Sequence, residues 1–279
     1  MQPHQAPLSR WSAPPAVTAS IGLHALAVGT AVWVPEAFWW ALAGIGLNQV
    51  VLTAAGLWPR SQLLGPNWTR LPAAAAERRQ FALTLDDGPD PEVTPRVLDL
   101  LDQHRTRATF FCIAARAQAQ PALLREIVAR GHDVQNHSLS HRHHFALLGP
   151  RALGREVDRA QQVLADLCGQ RPHCFRAPAG LRNPFLDPVL HRHGLNLVSW
   201  TRRGFDTVTR DAGRVLERLT RNMAAGDIVL LHDGHALRNE REQPVVLEVL
   251  PRLLAHAAGL GLQATTLRDA VPHRSAVQR

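Results

Sequence analysis

Two long uncharged runs near the start of the chain limit what its 279 residues can fold into more than any other feature. Val17 to Val34 is apolar apart from His24 and small hydroxyl residues, and Phe38 to Leu57 is apolar apart from Asn48 and Gln49. As helices, both are long enough to cross a bilayer. Pro35 and Glu36 leave so short a turn between them that the pair is expected as a hairpin with both ends on one side. Neither run shows the polar face of a helix lying on a soluble core. Trp33, Phe38, Trp39, Trp40 and Trp58 sit near the segment ends, at the level of an interfacial aromatic belt. Arg10 precedes the first run and Arg60, Arg70, Arg78 and Arg79 follow the second, whereas the turn carries only Glu36. The positive-inside rule therefore expects a multi-pass inner-membrane protein whose remaining chain faces the cytoplasm. A cleaved export signal followed by one anchor is the competing arrangement, and the second run with its arginine-rich flank argues against it.

Residues 1–58 are thus expected as a membrane hairpin, with helices near 17–34 and 38–57, followed by a linker at 59–79, a soluble domain at 80–270 and a tail at 271–279. Pro59, Gly65, Pro66 and Pro72, followed by an alanine run, mark the linker, which is expected along the membrane surface. Beyond Phe81, short apolar runs at 81–85, 108–113, 132–135, 173–175, 195–200, 228–231 and 262–266 alternate with helical patterns near 93–103, 121–129 and 151–167. Such alternation expects an α/β fold, a parallel sheet with helices outside it. About seven strands and no GxGxxG turn favour a closed or nearly closed (β/α) barrel over a dinucleotide-binding sheet.

Polar clusters recur where those runs end, the place where barrel enzymes carry reactive groups. Thr84-Leu85-Asp86-Asp87-Gly88-Pro89 follows the first run, although Asp, Gly and Pro are also ordinary turn residues. Asn136-His137-Ser138-Leu139-Ser140-His141 follows the third, and His137 and His141 face the same way if the segment turns helically, so that both could reach one metal ion. With 15 histidines in the chain, a surface pair is the bland alternative. Arg176-Ala177-Pro178-Ala179-Gly180, Asp206 and His232 follow later runs, where each could also be a solvated arginine, a helix cap or a core-edge histidine. Five such clusters at the same end of successive strands point to one shared site.

Together these segments resemble the polysaccharide deacetylase family, the NodB-homology domain or carbohydrate esterase family 4, from about Phe81 to Thr266. TLDDGPD is similar to the family's first motif, HSLSH to its second, RAPAG to its third, SWTRRGFD to its fourth and LLH to its fifth. The resemblance implies a distorted (β/α) barrel and a mononuclear divalent metal, commonly zinc, held by Asp87, His137 and His141. It also implies Asp86 as general base, His232 as general acid, Arg176 holding Asp86, and Asp206 orienting His232. Two departures stand out. Ala179 replaces the tyrosine frequent after the third motif's proline, and Arg203 replaces the first acid of the fourth motif, with Thr207 near its tryptophan position. The substrate wall is therefore expected to differ from that of chitin or peptidoglycan deacetylases.

Removal of an N-acyl group, acetyl foremost, from an amino sugar is the expected reaction. Facing the cytoplasm, the domain would meet a lipid-linked or glycolipid precursor. An exported cell-wall deacetylase and an inactive sugar-binding membrane scaffold are the alternatives. The formal charge of +8 comes from arginines scattered through expected helices. With no nucleic-acid motif and no aromatic stacking series, an anionic membrane surface is the partner expected for that charge, and neither nucleic acid nor a protein partner is expected. Cys112, Cys168 and Cys174 are too few for a disulfide framework and are expected reduced.

Overall fold

The computed structural model describes residues 10–272, so of the expected tail only Val271 and Pro272 fall within it. Helices α1 (Pro15–Trp33) and α2 (Phe38–Leu57) form the N-terminal hairpin, joined by a single 3-10 turn at Pro35–Ala37. Both are long and apolar enough to cross a membrane. At roughly 1.5 Å per residue each spans about 30 Å, the thickness of a bilayer's hydrocarbon core. The few polar groups inside the hairpin satisfy one another: Asn48 Nδ2 donates to Ser20 Oγ at 2.8 Å, and Gln49 meets His24 Nε2 at 3.2 Å. Most other side chains along both helices are exposed.

The rest of the chain is built from α3 (Ala73–Glu77), β1 (Gln80–Asp86), α4 (Val93–Gln103), β2 (Thr109–Cys112), α5 (Ala114–Ala119), α6 (Pro121–Ala129), β3 (Asp133–Asn136) and α7 (Pro150–Cys168). It continues through β4 (Cys174–Phe175), α8 (Leu186–Arg192), β5 (Asn196–Leu197), β6 (Arg202–Arg203), α9 (Ala212–Thr220), β7 (Ile228–His232), α10 (Val245–Gly259), β8 (Gln263–Thr265) and α11 (Leu267–Ala270). Seven parallel strands lie in the order β5-β4-β3-β2-β1-β7-β6, and β8 pairs with the first residues of β1. This is the distorted (β/α) barrel the sequence led us to expect. The run 195–200 divides: β5 ends at Leu197, and Val198–Thr201 crosses from one sheet edge to the other, where β6 begins.

Residues 59–79, expected as a linker, make barrel contacts. Trp68 N–H donates to Leu197 O and its carbonyl accepts from Ser199, while Leu71 N–H reaches Gly226 O, so this segment sits across the gap between the sheet edges. Leu71 and Ala75 are buried among Ala82, Phe111, Val198 and Ile228 in the barrel interior. Of the arginines counted as flanking the membrane, Arg70 pairs with buried Asp227 at 2.8 Å and Arg79 donates to Leu260 and Gly261 carbonyls, so both serve the folded domain.

Strand alternation decides what reaches the interior. In β1, Phe81, Leu83 and Leu85 pack outward against helices α4 and α10, leaving Ala82, Thr84 and Asp86 on the inner face. Helix α7 buries Leu153, Val157, Ala160 and Leu164, one stripe at helical spacing, and ends on left-handed Gly169.

The hairpin is seated on the domain at both ends of its foot. Trp11 Nε1 donates to Asp187 Oδ2 at 2.8 Å, and Arg182 N–H donates to Gly56 O at 3.1 Å. A Cβ built on Gly56 would lie 2.2 Å from the Arg182 carbonyl oxygen. Gly56→Val is therefore expected to cost about 1–3 kcal/mol through overpacking. Thermal unfolding of the detergent-solubilised full chain would show it, and an unchanged melting temperature would mean that the foot yields freely.

Candidate active site and metal centre

The polar clusters meet at the C-terminal end of the strands. Asp86 closes β1 opposite His232 at the end of β7, while His137 directly follows β3 and Arg176 directly follows β4. A cavity of about 180 Å³ is lined there by Asp86, Asp87, His137, His141, Arg203 and His232 among others. A larger one of about 350 Å³ at the opposite end, around Phe81, His104 and Leu262, gathers no comparable set of carboxylates and imidazoles among its lining residues.

Asp87, His137 and His141 offer ligand atoms within 4.8 Å of one another. Both imidazole Nε2 atoms lie 3.2 Å from Asp87 Oδ1, yet that buried oxygen has no hydrogen bond of acceptable geometry. Three ligand atoms aimed at one point around an orphaned carboxylate oxygen suit a divalent cation. His137 Nδ1 lies 2.8 Å from Arg176 O, and since a carbonyl only accepts, Nδ1 carries a proton, which in the neutral ring leaves the Nε2 lone pair for a metal. The pair is brought together by a loop and not by a helical turn. Residues 137–141 form a loop in which Ser138 (φ 66°) and His141 (φ 48°) are left-handed, pinned by Ser138 Oγ on His141 N–H and by Glu156 on Ser140.

Burial pushes the Asp87 carboxyl up, but contact with His137 and His235 and the charges of the imidazoles outweigh it and hold the group well below the usual carboxylate range. Burial and the neighbouring His137 lower His141 to about 4, keeping its imidazole neutral and able to act as a ligand. Asp86 is held from beneath by Arg176, whose Nη1 donates to Asp86 Oδ1 at 2.6 Å and to Thr84 Oγ1 at 2.8 Å. Nη2 bonds Ser199 O, and the guanidinium lies 4.1 Å from the centre of the Phe111 ring, so this fully buried arginine has little freedom to move. Asp206 accepts both the backbone N–H and the Nδ1–H of His232, each at 2.8 Å, and fixes the ring's direction.

The chain matches the family model described as polysaccharide deacetylase over residues 73–198. It is 37% identical over 164 residues to the chitooligosaccharide deacetylase of Bradyrhizobium sp. (strain ANU 289), covering 58% of this chain and 74% of that one. To the peptidoglycan-N-acetylglucosamine deacetylase of Bacillus cereus it is 34% identical over 177 residues, covering 62% and 81% of the two chains. The chain belongs to the polysaccharide deacetylase family. The structure of the family 4 carbohydrate esterase from Streptomyces lividans in complex with acetate superposes on it with a TM-score of 0.60 and 32% identity, covering 66% of this chain and 91% of that one. As a polysaccharide deacetylase it is a carbohydrate N-deacetylase, a hydrolase of amide bonds.

Sequence reasoning passed over three features of this deacetylase site. His235 Nδ1 sits 3.1 Å from Asp87 Oδ2, and Arg116 bonds both His235 Nε2 and the Asp87 carbonyl. His235 follows His232 by three residues, but its aim depends on its own left-handed backbone (φ 58°), which no residue pattern announces. Asp233 is buried behind Gly88, where burial pushes its carboxyl up to about 7, and it accepts a hydrogen bond from Thr94. Trp200 joins the pocket wall beside Arg203, the position already marked as a departure, and the missed feature is the stacking there: the Arg203 guanidinium lies 5.2 Å from the Trp200 ring and 4.8 Å from that of Phe205.

Proposed function

We propose that this chain hydrolyses the N-acetyl group of an amino sugar on a lipid-linked or cell-envelope glycan, using a divalent metal, zinc foremost, held by Asp87, His137 and His141. The observation that carries the reading is the convergence of the His137 and His141 imidazoles on the orphaned Asp87 Oδ1, beside the Asp86–Arg176 and His232–Asp206 pairs. A bound divalent ion there would lower the pKa of a coordinated water and polarise the acyl carbonyl. Asp86, kept in place by Arg176, accepts the proton of the attacking water. The backbone N–H of Ala179, in a left-handed residue (φ 54°) on the pocket wall, donates to the developing oxyanion. His232, oriented through Nδ1 by Asp206, delivers a proton to the departing amine, which leaves poorly as its anion.

The relatives' names support N-acetylglucosamine units as the sugar class. The hairpin and the pocket chemistry favour a lipid-linked form. Arg203 in the pocket wall makes no ion pair among the described residues and can meet a phosphate or diphosphate on the substrate. Arg10 and Arg60 beside the hairpin foot, against Glu36 alone at its tip, support an inner-membrane placement with the catalytic domain on the cytoplasmic side. The test is amine release by the full-length protein from N-acetylated glycans and from lipid-linked amino sugars, before and after chelation and metal add-back. Metal-restored release that is faster on the lipid-linked panel is expected. Equal release with and without chelator would sink the metal, and release from free oligosaccharides alone would sink the lipid-linked substrate.

A further inference from the structure

We propose that the active-site end of the barrel is itself a membrane-docking surface, seating the pocket mouth against the lipid headgroups of the bilayer that holds the hairpin. This rests on reading the hairpin as membrane-spanning. A single segment, residues 178–187, connects the site to the hairpin foot. Ala179 and Gly180 line the pocket, and a Cβ on Gly180 would lie 2.8 Å from Pro59, just past the end of α2. Two residues on, Arg182 bonds Gly56 through its backbone and Ser61 through its side chain. Asn183 then holds the carbonyls of Ala146 and Leu148, each at 2.9 Å, and Asp187 receives Trp11 from the other end of the foot. The wall of the pocket and the point where the chain enters the bilayer are therefore one piece of structure.

The large apolar side chains left exposed gather around this piece. Leu63 lies in the loop after the foot, Leu147 between the two carbonyls that Asn183 clamps, and Phe185 between Asn183 and Asp187. On the pocket rim, Phe205 and Val208 flank the lining residue Thr207. Outside the hairpin and this end of the barrel, the one large hydrophobic exposed among the described residues is Leu260. Leu147 is 84% exposed, which a soluble surface tolerates singly but seldom in a group continuous with an apolar hairpin. Trp11 and Trp58, at the two ends of the foot, mark the level at which amphipathic rings settle in a headgroup layer. A bilayer at that level would take in Leu63, Leu147 and Phe185, and the N-acyl group of a membrane-borne sugar would reach the ligand cluster without its lipid leaving the membrane.

The experiment places a nitroxide at single cysteines introduced by Leu147→Cys, Phe185→Cys, Leu47→Cys and Leu260→Cys. The background is Cys168→Ser, because Cys112 and Cys174 are buried. The full-length protein is reconstituted in vesicles of phosphatidylethanolamine and phosphatidylglycerol. Collision of the label with oxygen, relative to a water-soluble nickel chelate, is expected to be roughly threefold or more higher at 147 and 185 than at 260, as for side chains sunk into the headgroup boundary. Position 47, on α2, reports the hairpin. A lipid-like value at 47 with water-like values at 147 and 185 would overturn the docking surface and leave the membrane anchor standing. Water-like values at all positions would overturn both, while deacetylase activity, measured separately, would still report on the chemistry of the site.

Discussion

Asp87→Asn is expected to slow deacetylation by about a thousandfold or more even with metal in excess, because metal-ion catalysis supplies several kcal/mol and each 1.36 kcal/mol is a factor of ten. The substitution keeps the side chain's shape but removes the negative charge from the oxygen on which both imidazole Nε2 atoms converge at 3.2 Å. His137→Ala should act in the same way, since it removes the imidazole whose Nε2 faces Asp87 Oδ1 and whose Nδ1–H on Arg176 O sets its direction. Elemental analysis of the purified protein would show near-stoichiometric metal in the wild type and little in either variant. Full metal occupancy with an unchanged rate in Asp87→Asn would remove this residue from the centre.

His232→Ala should cost about a hundredfold to ten-thousandfold in kcat, the usual contribution of a positioned general acid. Asp206→Asn is more informative, because it leaves the imidazole in place and alters its proton. Burial alone would lower His232, but the Asp206 carboxylate bonded to Nδ1 outweighs it and pushes the group up to about 9. Folding thus favours the protonated ring. Its contribution to stability is complete below the unfolded value near about 6.5 and is lost as pH rises through the folded value. For catalysis the same sign predicts a rate that holds at neutral pH and falls on an alkaline limb near 9. In Asp206→Asn the largest counterweight to burial is lost and only the charges of Asp86 and Asp87 still oppose it, so the limb should move to lower pH and the rate at pH 8 should fall by about tenfold. A pH–rate profile unchanged by this substitution would exclude His232 as the proton donor.

The site was legible from sequence because its groups sit in short runs at strand ends. Asp86 and Asp87 follow β1, His137 follows β3 and Arg176 follows β4, so each motif is local even though the assembled cluster is not. His235 escaped because its approach to Asp87 comes from a left-handed turn, and one histidine among 15 carries no signal alone. Most of the strands were visible as apolar runs, with β6 the exception. Arg202 and Arg203 are charged, and their strand is defined by pairing with Val229 and Leu230 instead of by hydrophobicity. The segment 59–79 read as a linker because its prolines suppress any period, while its partners are backbone groups at Leu197, Ser199 and Gly226, which leave no trace in side-chain pattern.

That last segment also sets the order in which the molecule can be completed. Trp68 and Leu71 leave the ribosome soon after the hairpin, but the residues they bond, at 197–199 and 226, are made only when most of the barrel already exists. Until then the gap between the two sheet edges, β5 and β6, has nothing to close against, and the unpaired strand edges stay open to misassociation. Synthesis thus places the hairpin first and closes the seam late. A hairpin already lodged in a membrane would hold its end of the seam in place while the rest of the barrel is translated.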